Sequence, residues 1–397
     1  MSRAASVNLT FAALAMVATL PGRTQGLGLI TEPLIAALQL DRLEYASINF
    51  WATLIGAAFC IPFGRWMDRL GPRITLTFTL LALGATVIAM SNATSAANLW
   101  LTVTLTRGLG QSALSVLSIA LVGKWFSERI NFAMGVYSLL VGIGFIAAFP
   151  SVGAAVLAHG WRTAWLALGV AVLALGPLAW LLVRERPALV QQSETSAASM
   201  TLAEALRTPA FWIFALASSV FGLVYSGIAL FNQSILEQRG FDASAYHQVL
   251  VVSTMLGLAA NFGGGWLATR WPIQRVMGIA MALLAVAVLM LPLVRRVPEL
   301  MLYAATMGIA GGVVTVVFFS VWPQVFGRTH LGRIQGFAQM MTVLASATGP
   351  VLLAQTLKST GSYESIFYTL ALVVAVLAVG CWTVALPKPA LSELAAT

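Results

Sequence analysis

The sequence predicts an all-α membrane protein with twelve transmembrane helices arranged as two pseudo-symmetric six-helix bundles. Of its 397 residues, 59% are hydrophobic and only 9% are charged, whereas globular proteins carry roughly 25% charged residues. Stretches of about 20 mainly apolar residues, enough to span a bilayer as a helix, recur twelve times. Because lipid offers backbone groups no hydrogen-bond partners, such stretches must be helical.

Each predicted span is one such apolar stretch bounded by charged or turn-forming residues. No small-residue cleavage site follows the first stretch, so we expect it to remain as an uncleaved helix. Numbered as spans 1–12, their predicted limits are 8–38, 45–64, 74–90, 97–122, 132–157, 163–183, 210–234, 245–268, 275–294, 300–326, 334–357 and 365–386.

The longest polar interval divides the spans into six and six. It runs from Arg184 to Thr208, which predicts an N-terminal bundle at 1–186, a cytoplasmic linker at 187–208 and a C-terminal bundle at 209–397. Weak internal symmetry supports this division. At an offset of 200 residues, Gly64, Trp66 and Pro72 align with Gly264, Trp266 and Pro272.

The distribution of positive charge predicts the orientation. Lys and Arg accumulate in cytoplasmic loops, and with the N-terminus inside, fourteen of the 22 Lys and Arg residues fall on the inner side and six on the outer. We therefore expect a multi-pass protein of a bacterial inner membrane with both termini cytoplasmic. The net charge of +9 reflects this bias, so we expect no nucleic-acid partner; the expected assembly is a monomer in the lipid bilayer.

The loop after span 2 carries the most specific motif, Gly64-Arg65-Trp66-Met67-Asp68-Arg69-Leu70-Gly71-Pro72-Arg73. It resembles the Gly-x-x-x-Asp-Arg-x-Gly-x-Arg signature of the major facilitator superfamily. The Arg107-Gly108-Leu109-Gly110-Gln111 stretch in span 4 is similar to that family's second motif. The resemblance covers the whole chain and implies the major facilitator fold and a secondary transporter.

Further stretches resemble the monocarboxylate and oxalate/formate porter branch. They are Lys124-Trp125-Phe126 with Arg129, Gly160-Trp161-Arg162, and Gly349-Pro350 followed by Thr360-Gly361-Ser362-Tyr363. Oxalate-type porters carry basic residues in spans 8 and 11. This chain has none inside those spans, which argues against an oxalate-like substrate.

The resemblance implies a cytoplasmic gate built from Gly64, Asp68, Arg69, Gly71, Arg73 and Arg129. A carboxylate at the end of a helix pair can meet the positive N-terminus of a neighbouring helix, with Arg69, Arg73 and Arg129 as candidate partners of Asp68. The alternative is that these charges only enforce topology. Ala268 stands at the position that matches Asp68, so we expect the gate to be one-sided.

Two arginines inside the membrane indicate the substrate. Arg23 interrupts span 1 and Arg107 interrupts span 4, and intramembrane charges usually face a substrate or a water-filled path. A guanidinium stays protonated and suits a carboxylate, so we expect a small organic anion; structural bonding to carbonyls is the alternative. Positions in spans 4, 7, 10 and 11 complete the expected substrate site: Gln111, Tyr225, Asn232, Trp322 and Gln339.

The coupling mode and two rival functions remain open at this level. Glu32 is the only acid within a span and is the candidate for coupling to H+. One rival is a proton-coupled exporter of drug-like or amphiphilic compounds, which aromatic and Met-rich spans 10 and 11 would suit. The other is a receptor that binds without translocating. No catalytic, zinc or phosphate-loop spacing occurs, so we expect no enzyme, no cofactor and no metal.

Overall fold

A computed structural model describes residues 3–40, 42–126, 129–185, 199–241 and 243–387, and no strand occurs within these ranges. Span 1 consists of Arg3–Val17, Leu20–Gly22, Thr24–Gly28 and Thr31–Leu38. Span 2 consists of Arg42–Ala57 and the part of the helix Cys60–Ser91 that precedes Gly71, and span 3 is the part of that helix after Gly71. Span 4 consists of Ala96–Thr106, Arg107–Leu114 and Ser115–Trp125, and span 5 is Ile130–His159. The remaining elements are span 6, Trp161–Leu182; a short helix, Leu202–Leu206; span 7, Pro209–Glu237; span 8, Ala243–Arg270; span 9, Ile273–Met290; span 10, Val297–Val325; span 11, Leu331–Thr360; and span 12, Glu364–Thr383.

Eleven helices in the described ranges are long and apolar enough to cross a membrane, and one of them, Ser47–Ser91, contains 45 residues. At about 1.5 Å per residue a straight helix of that length would far exceed a bilayer. Gly71 interrupts it with φ 81° and ψ 168°, a conformation open to glycine alone. Spans 2 and 3 are therefore separate, and the predicted twelve-span fold is confirmed.

Span 1 is broken at Pro21 and Gly22, a pair of residues that favours a local break in a helix. Leu20–Gly22 forms a 3₁₀ turn, and Arg23 is extended, with φ −88° and ψ 152°. Pro21 is tolerated at the start of this turn, where no backbone N–H is needed. It has no N–H to donate to the preceding helix, so the α-helix cannot continue through it. Span 4 contains a feature that the sequence does not signal: Arg107–Leu114 is a π-helix. Such π segments frequently occur at functional sites.

The twelve spans pack as two bundles that meet along a defined set of helix pairs. Spans 3 and 6, 1 and 5, and 1 and 4 contact one another in the first half, while spans 8 and 10, 7 and 11, and 9 and 12 do so in the second. Contacts between the halves join span 5 with spans 8 and 10, span 2 with span 11, and span 4 with spans 10 and 11.

The predicted linker is described only in its last part. Residues 186–198 lie outside the described ranges, so the boundaries at 187 and 208 stay predictions. The Met200 N–H donates to the Phe326 carbonyl at 3.0 Å, which ties the end of the interval to the loop before span 11. Thr201 and Glu204 form a capping box at the start of the short helix, which satisfies N–H groups that a helix start leaves unpaired.

Candidate functional site

Asp68 joins the two halves at one end of the molecule. Its Oδ1 accepts from the backbone N–H of Gly332 and its Oδ2 from that of Arg333, both at 2.9 Å. These N–H groups belong to the first turn of span 11, where the helix dipole favours an anion. The Lys124 ammonium lies 2.8 Å from Oδ1, and the Asp68 side chain is only 3% exposed. We call this group (Asp68, Lys124, Gly332 and Arg333) the Asp68 latch.

The arginines expected to pair with Asp68 are placed elsewhere, so that part of the gate prediction was wrong. Arg73 follows the Gly71 turn, and its Nε donates to the Trp180 carbonyl while the guanidinium stacks 4.3 Å from the Trp180 ring centroid. Arg69 and Arg129 are exposed. Lys124 reaches Asp68 instead because it lies in the last turn of span 4, beside the end of span 2.

Glycines bring the latch helices into backbone contact. A Cβ on Gly64 would lie 2.1 Å from the Gly332 oxygen, and a Cβ on Gly332 would lie 2.2 Å from the Gly64 oxygen. One turn further, a Cβ on Gly336 would lie 2.5 Å from the Cys60 oxygen. Any side chain at these positions would push the helices apart, and small residues are the usual means of close helix approach in membranes.

The symmetry-related crossing of spans 5 and 8 lacks a carboxylate but keeps a hydrogen bond. Asn131 Nδ2 donates to the carbonyl of Ala268 at 2.6 Å, and Ala268 is the counterpart of Asp68. Added Cβ atoms on Gly135 and Gly265 would meet backbone of the opposite helix. Among the described residues, the ionic contact is therefore present in only one of the two symmetry-related crossings, and an amide donor stands in the other.

Away from these crossings, many described glycines meet neighbours of their own bundle; they include Gly144, Gly153, Gly222, Gly227 and Gly349. Gly142 of span 5 differs, because its added Cβ would lie 2.1 Å from a side-chain carbon of Leu258 in span 8. The backbone-to-backbone glycine contacts between the halves lie at the Asp68 latch and at the crossing of spans 5 and 8.

Arg107 lies at the start of the π segment and is only 3% exposed. Its Nη1 donates to Thr24 Oγ1 at 2.9 Å and to Gln111 Oε1 at 2.8 Å, and its Nη2 donates to Asn49 Oδ1 at 3.0 Å. Its Nε has no hydrogen-bond partner among the described residues. All three acceptors are neutral, so the positive charge is solvated by dipoles and not neutralised by these contacts.

Arg23 is the extended residue between two helical segments of span 1, and it is half-buried. Its Nε donates to Thr19 Oγ1 at 2.6 Å, Nη2 lies 3.0 Å from Met16 Sδ, and the guanidinium carbon is 4.9 Å from the Phe145 ring centroid. None of these neighbours, a hydroxyl, a thioether and an aromatic face, carries a negative charge that would neutralise Arg23.

The broken segment of span 1 packs directly on the π segment and so sets both arginines at one level. A Cβ on Gly22 would lie 2.2 Å from the Thr106 oxygen and 2.9 Å from the Gln111 nitrogen. Thr24, next to Arg23, is a partner of Arg107. The two guanidinium groups nevertheless face different neighbours, Arg23 towards span 5 and Arg107 towards span 2.

Two other predicted site residues line a cavity of about 340 Å³ between spans 7, 8 and 10. Tyr225 stacks on Phe221 with ring centroids 5.7 Å apart. Asn232 is 8% exposed, and its Oδ1 has no hydrogen-bond partner among the described residues. Both residues are lining residues of this cavity.

The remaining predicted residues are Trp322, Gln339 and Glu32. Trp322 is fully buried and packs against Phe211, Phe318 and Phe326, so in this conformation it is a core residue that a solute cannot reach. Gln339 is half-buried in span 11. Glu32 belongs to the helix Thr31–Leu38, but its side chain lies outside the described residues.

Sequence reasoning missed the partners that orient Arg107. Thr24 and Asn49 are ordinary polar residues of spans 1 and 2, and no spacing rule connects them to span 4. In the sequence, Lys124 stands out only as part of a family motif. In the described part of the chain, no group of His, Cys, Asp and Glu side chains is arranged to hold a metal ion.

Comparison with known proteins agrees with this architecture. The model of the Major Facilitator Superfamily matches residues 7–295 and 215–396. Monocarboxylate transporter 13 of Rattus norvegicus is 27% identical over 335 residues, which cover 82% of this chain and 77% of that protein. The name of this relative agrees with the branch that the sequence motifs indicate.

Two solved structures share the fold. The crystal structure of the human organic anion transporter MFSD10 superposes with a TM-score of 0.73 at 17% identity, covering 96% of this chain and 100% of that one. The transporter FucP in its outward conformation superposes with a TM-score of 0.69 at 17% identity, covering 94% of this chain and 97% of that one. With the family model matching both halves, the chain belongs to the major facilitator superfamily.

Proposed function

We propose that the protein moves a small organic anion, of the monocarboxylate type, across the membrane by alternating access. Membership of the family makes it a multi-pass integral membrane transporter and not an enzyme. The observation that carries the substrate class is the pair Arg23 and Arg107. Among the side chains that the structure describes, no carboxylate pairs with either guanidinium.

A buried cation without a counter-ion is costly in a membrane, so these arginines gain from an anionic ligand. Arg23 is the more accessible and would make the first contact with a carboxylate. Arg107 would donate from a position fixed by Thr24, Asn49 and Gln111. The relative named monocarboxylate transporter 13 and the structural neighbour named an organic anion transporter support the same class.

The Asp68 latch supports the alternating-access part of the proposal. The two halves are held together at the latch end, and we propose that this end faces the cytoplasm, as the bias of Lys and Arg predicts. Both termini would then be cytoplasmic. Substrate would enter from the opposite side, and release would require the latch to open while the other end closes.

The drug-exporter alternative rests on the aromatic and Met-rich character of spans 10 and 11. Of those residues, Trp322 and Phe318 are packed in the core and are 0% and 7% exposed, whereas Phe319, Met340 and Met341 are half-buried. The positive charges of Arg23 and Arg107 would also repel a cationic drug.

Equilibrium binding tests the proposed substrate class. Purified protein is titrated with lactate, with a neutral solute of equal size and with tetraphenylphosphonium, and the melting temperature is followed, since a ligand specific for the native state raises it. We expect stabilisation by lactate alone and its loss in Arg23→Ala. The exposed Arg295→Ala variant is the control. Stabilisation by the cation, unchanged in Arg23→Ala, would overturn the proposal.

A further inference from the structure

The cavity between spans 7, 8 and 10 is a second polar surface that the arginine pair does not explain. Its volume of about 340 Å³ falls within the roughly 300–1,000 Å³ of small-molecule sites. All its described lining residues belong to the C-terminal half, whereas both arginines belong to the N-terminal half.

The cavity contains hydrogen-bond acceptors that no described group satisfies. Asn232 Oδ1 and Asn261 Oδ1 are buried and have no partner among the described residues. Ser253 Oγ already donates to the Leu250 carbonyl at 3.2 Å, and Thr315 Oγ1 donates to the Gly311 carbonyl at 2.7 Å. A hydroxyl has one donor and two acceptor lone pairs, so Ser253 and Thr315 can still accept.

No lining residue of the cavity carries a charge. A carboxylate placed there would find no cation, and an ammonium group would find no anion; uncompensated burial of either charge is strongly unfavourable. Acceptors without charge instead match neutral O–H or N–H donors. Leaving such acceptors unpaired in a buried site costs free energy, so a ligand that supplies donors is preferred over one that does not.

Span 5 brings this cavity close to Arg23. A Cβ on Gly142 would lie 2.1 Å from a side-chain carbon of Leu258, which lines the cavity. Phe145, whose ring lies against Arg23, is three residues further along. Residues three apart share one helix face and are about 4.5 Å apart along the axis. On span 5, the residue that packs against the cavity wall and the residue that packs against Arg23 therefore lie within one helical turn of each other.

We propose that this cavity binds the uncharged, hydroxyl-bearing end of the substrate, with Asn232 and Asn261 as specificity-determining acceptors. The preferred ligand is then a hydroxylated small carboxylate whose carboxyl group lies at Arg23. This inference rests on the proposed function, because it assumes that Arg23 holds the carboxylate.

A matched series of acids tests the inference. Propionate, lactate and glycerate share a three-carbon skeleton and carry no, one and two hydroxyl groups. We measure their dissociation constants by calorimetry for the native protein, for Asn232→Leu and Asn261→Leu, and for Asn98→Leu as a control. Leucine has the same number and branching of heavy side-chain atoms as asparagine but lacks its amide, and Asn98 is exposed at the start of span 4. Melting temperatures of the ligand-free variants show that each one folds.

We expect glycerate to bind the native protein about tenfold more tightly than propionate, as one or two net hydrogen bonds would give. Either cavity variant should reduce this preference at least about threefold, and Asn98→Leu should keep it. Equal binding of the three acids, or a preference unchanged in both cavity variants, would overturn the inference while leaving carboxylate binding intact. If none of the acids bound the native protein, the proposed function would fail as well, which distinguishes the two failures.

Discussion

Asp68 Oδ1 lies 2.9 Å from the backbone nitrogen of Gly332, although the two residues are 264 positions apart and belong to opposite halves. The carboxylate takes the place of an N-cap for span 11. Lys124 of the first half balances its charge. One side chain thus connects the end of span 2, the end of span 4 and the start of span 11, which are the elements that must separate if this end opens.

Replacing Asp68 with Asn should open the latch end. The change removes the ion pair with Lys124 and weakens two charge-assisted bonds, each worth roughly 1.5–3 kcal/mol. Cys60 is fully buried at the crossing of spans 2 and 11 and serves as a reporter. In a Cys381→Ala background we expect its rate of labelling by a water-soluble maleimide to rise about tenfold, since about 1.4 kcal/mol corresponds to that factor.

A matched control breaks an ion pair elsewhere. Arg239 and Glu364 lie 2.9 Å apart, and both belong to the C-terminal half, so Glu364→Gln removes an ion pair without touching the latch. Its Cys60 labelling rate should equal that of the parent protein. Equal labelling of Asp68→Asn and the parent would show that the latch does not hold this end closed.

Gly332→Ala should have the same effect for a steric reason. The added methyl group would lie 2.2 Å from the Gly64 oxygen and 2.9 Å from Asp68 Oδ1, so the helices must separate. We expect faster labelling of Cys60, again by about tenfold. Gly263→Ala is the control, because nothing lies within 4 Å of its added Cβ. A labelling rate in Gly332→Ala no higher than in Gly263→Ala would contradict the close crossing.

Asn131→Leu tests the symmetry-related crossing of spans 5 and 8. The variant loses the bond to the Ala268 carbonyl, a neutral hydrogen bond worth roughly 0.5–1.5 kcal/mol. We therefore expect a smaller rise in Cys60 labelling than in Asp68→Asn, about threefold. The double variant should exceed either single variant. If Asn131→Leu left the Cys60 labelling rate unchanged, both alone and combined with Asp68→Asn, the crossing of spans 5 and 8 would have no part in closure.

The fold was predictable because it depends on patterns of many residues. Twelve apolar stretches, the break at Pro21 and Gly22, and the turn at Gly71 each follow from composition or backbone chemistry. The π segment that begins at Arg107 was not predictable, since a π-helix differs from an α-helix by one inserted residue and has no side-chain signature. Its geometry depends on packing against span 1.

The site was predicted in part, for a related reason. An arginine in an apolar span is visible in the sequence, but its neighbours are fixed by tertiary contacts. Hence Arg23 and Arg107 were found, while Thr24 and Asn49 were not. Trp322 lies seven residues after Thr315 in span 10, and that spacing cannot tell a cavity face from a core face. The choice of Lys124 over Arg73 for Asp68 likewise depends on the turn at Gly71.

Arg162 should stabilise the N-terminal half without a role in transport. Its Nη1 and Nη2 donate to the carbonyls of Ser91 and Ala93, both at 2.8 Å, and it stacks on Trp161. These bonds satisfy carbonyl groups at the end of span 3 that have no hydrogen-bond partner within the helix. Arg162→Met should lower the free energy of unfolding by about 2–4 kcal/mol, measured by denaturant titration in micelles. Arg295→Met should have little effect, and equal stability of the two variants would refute the assignment.

Uptake into proteoliposomes tests the central claim most directly. Radiolabelled lactate is offered to vesicles that contain the native protein, Arg23→Ala, Arg107→Ala or Arg295→Ala. We expect saturable uptake by the native protein and by Arg295→Ala, and at least about a tenfold loss of kcat/KM in the two intramembrane variants, as the loss of one charged contact gives. Lactate uptake that is unchanged in both Arg23→Ala and Arg107→Ala would contradict the anion site.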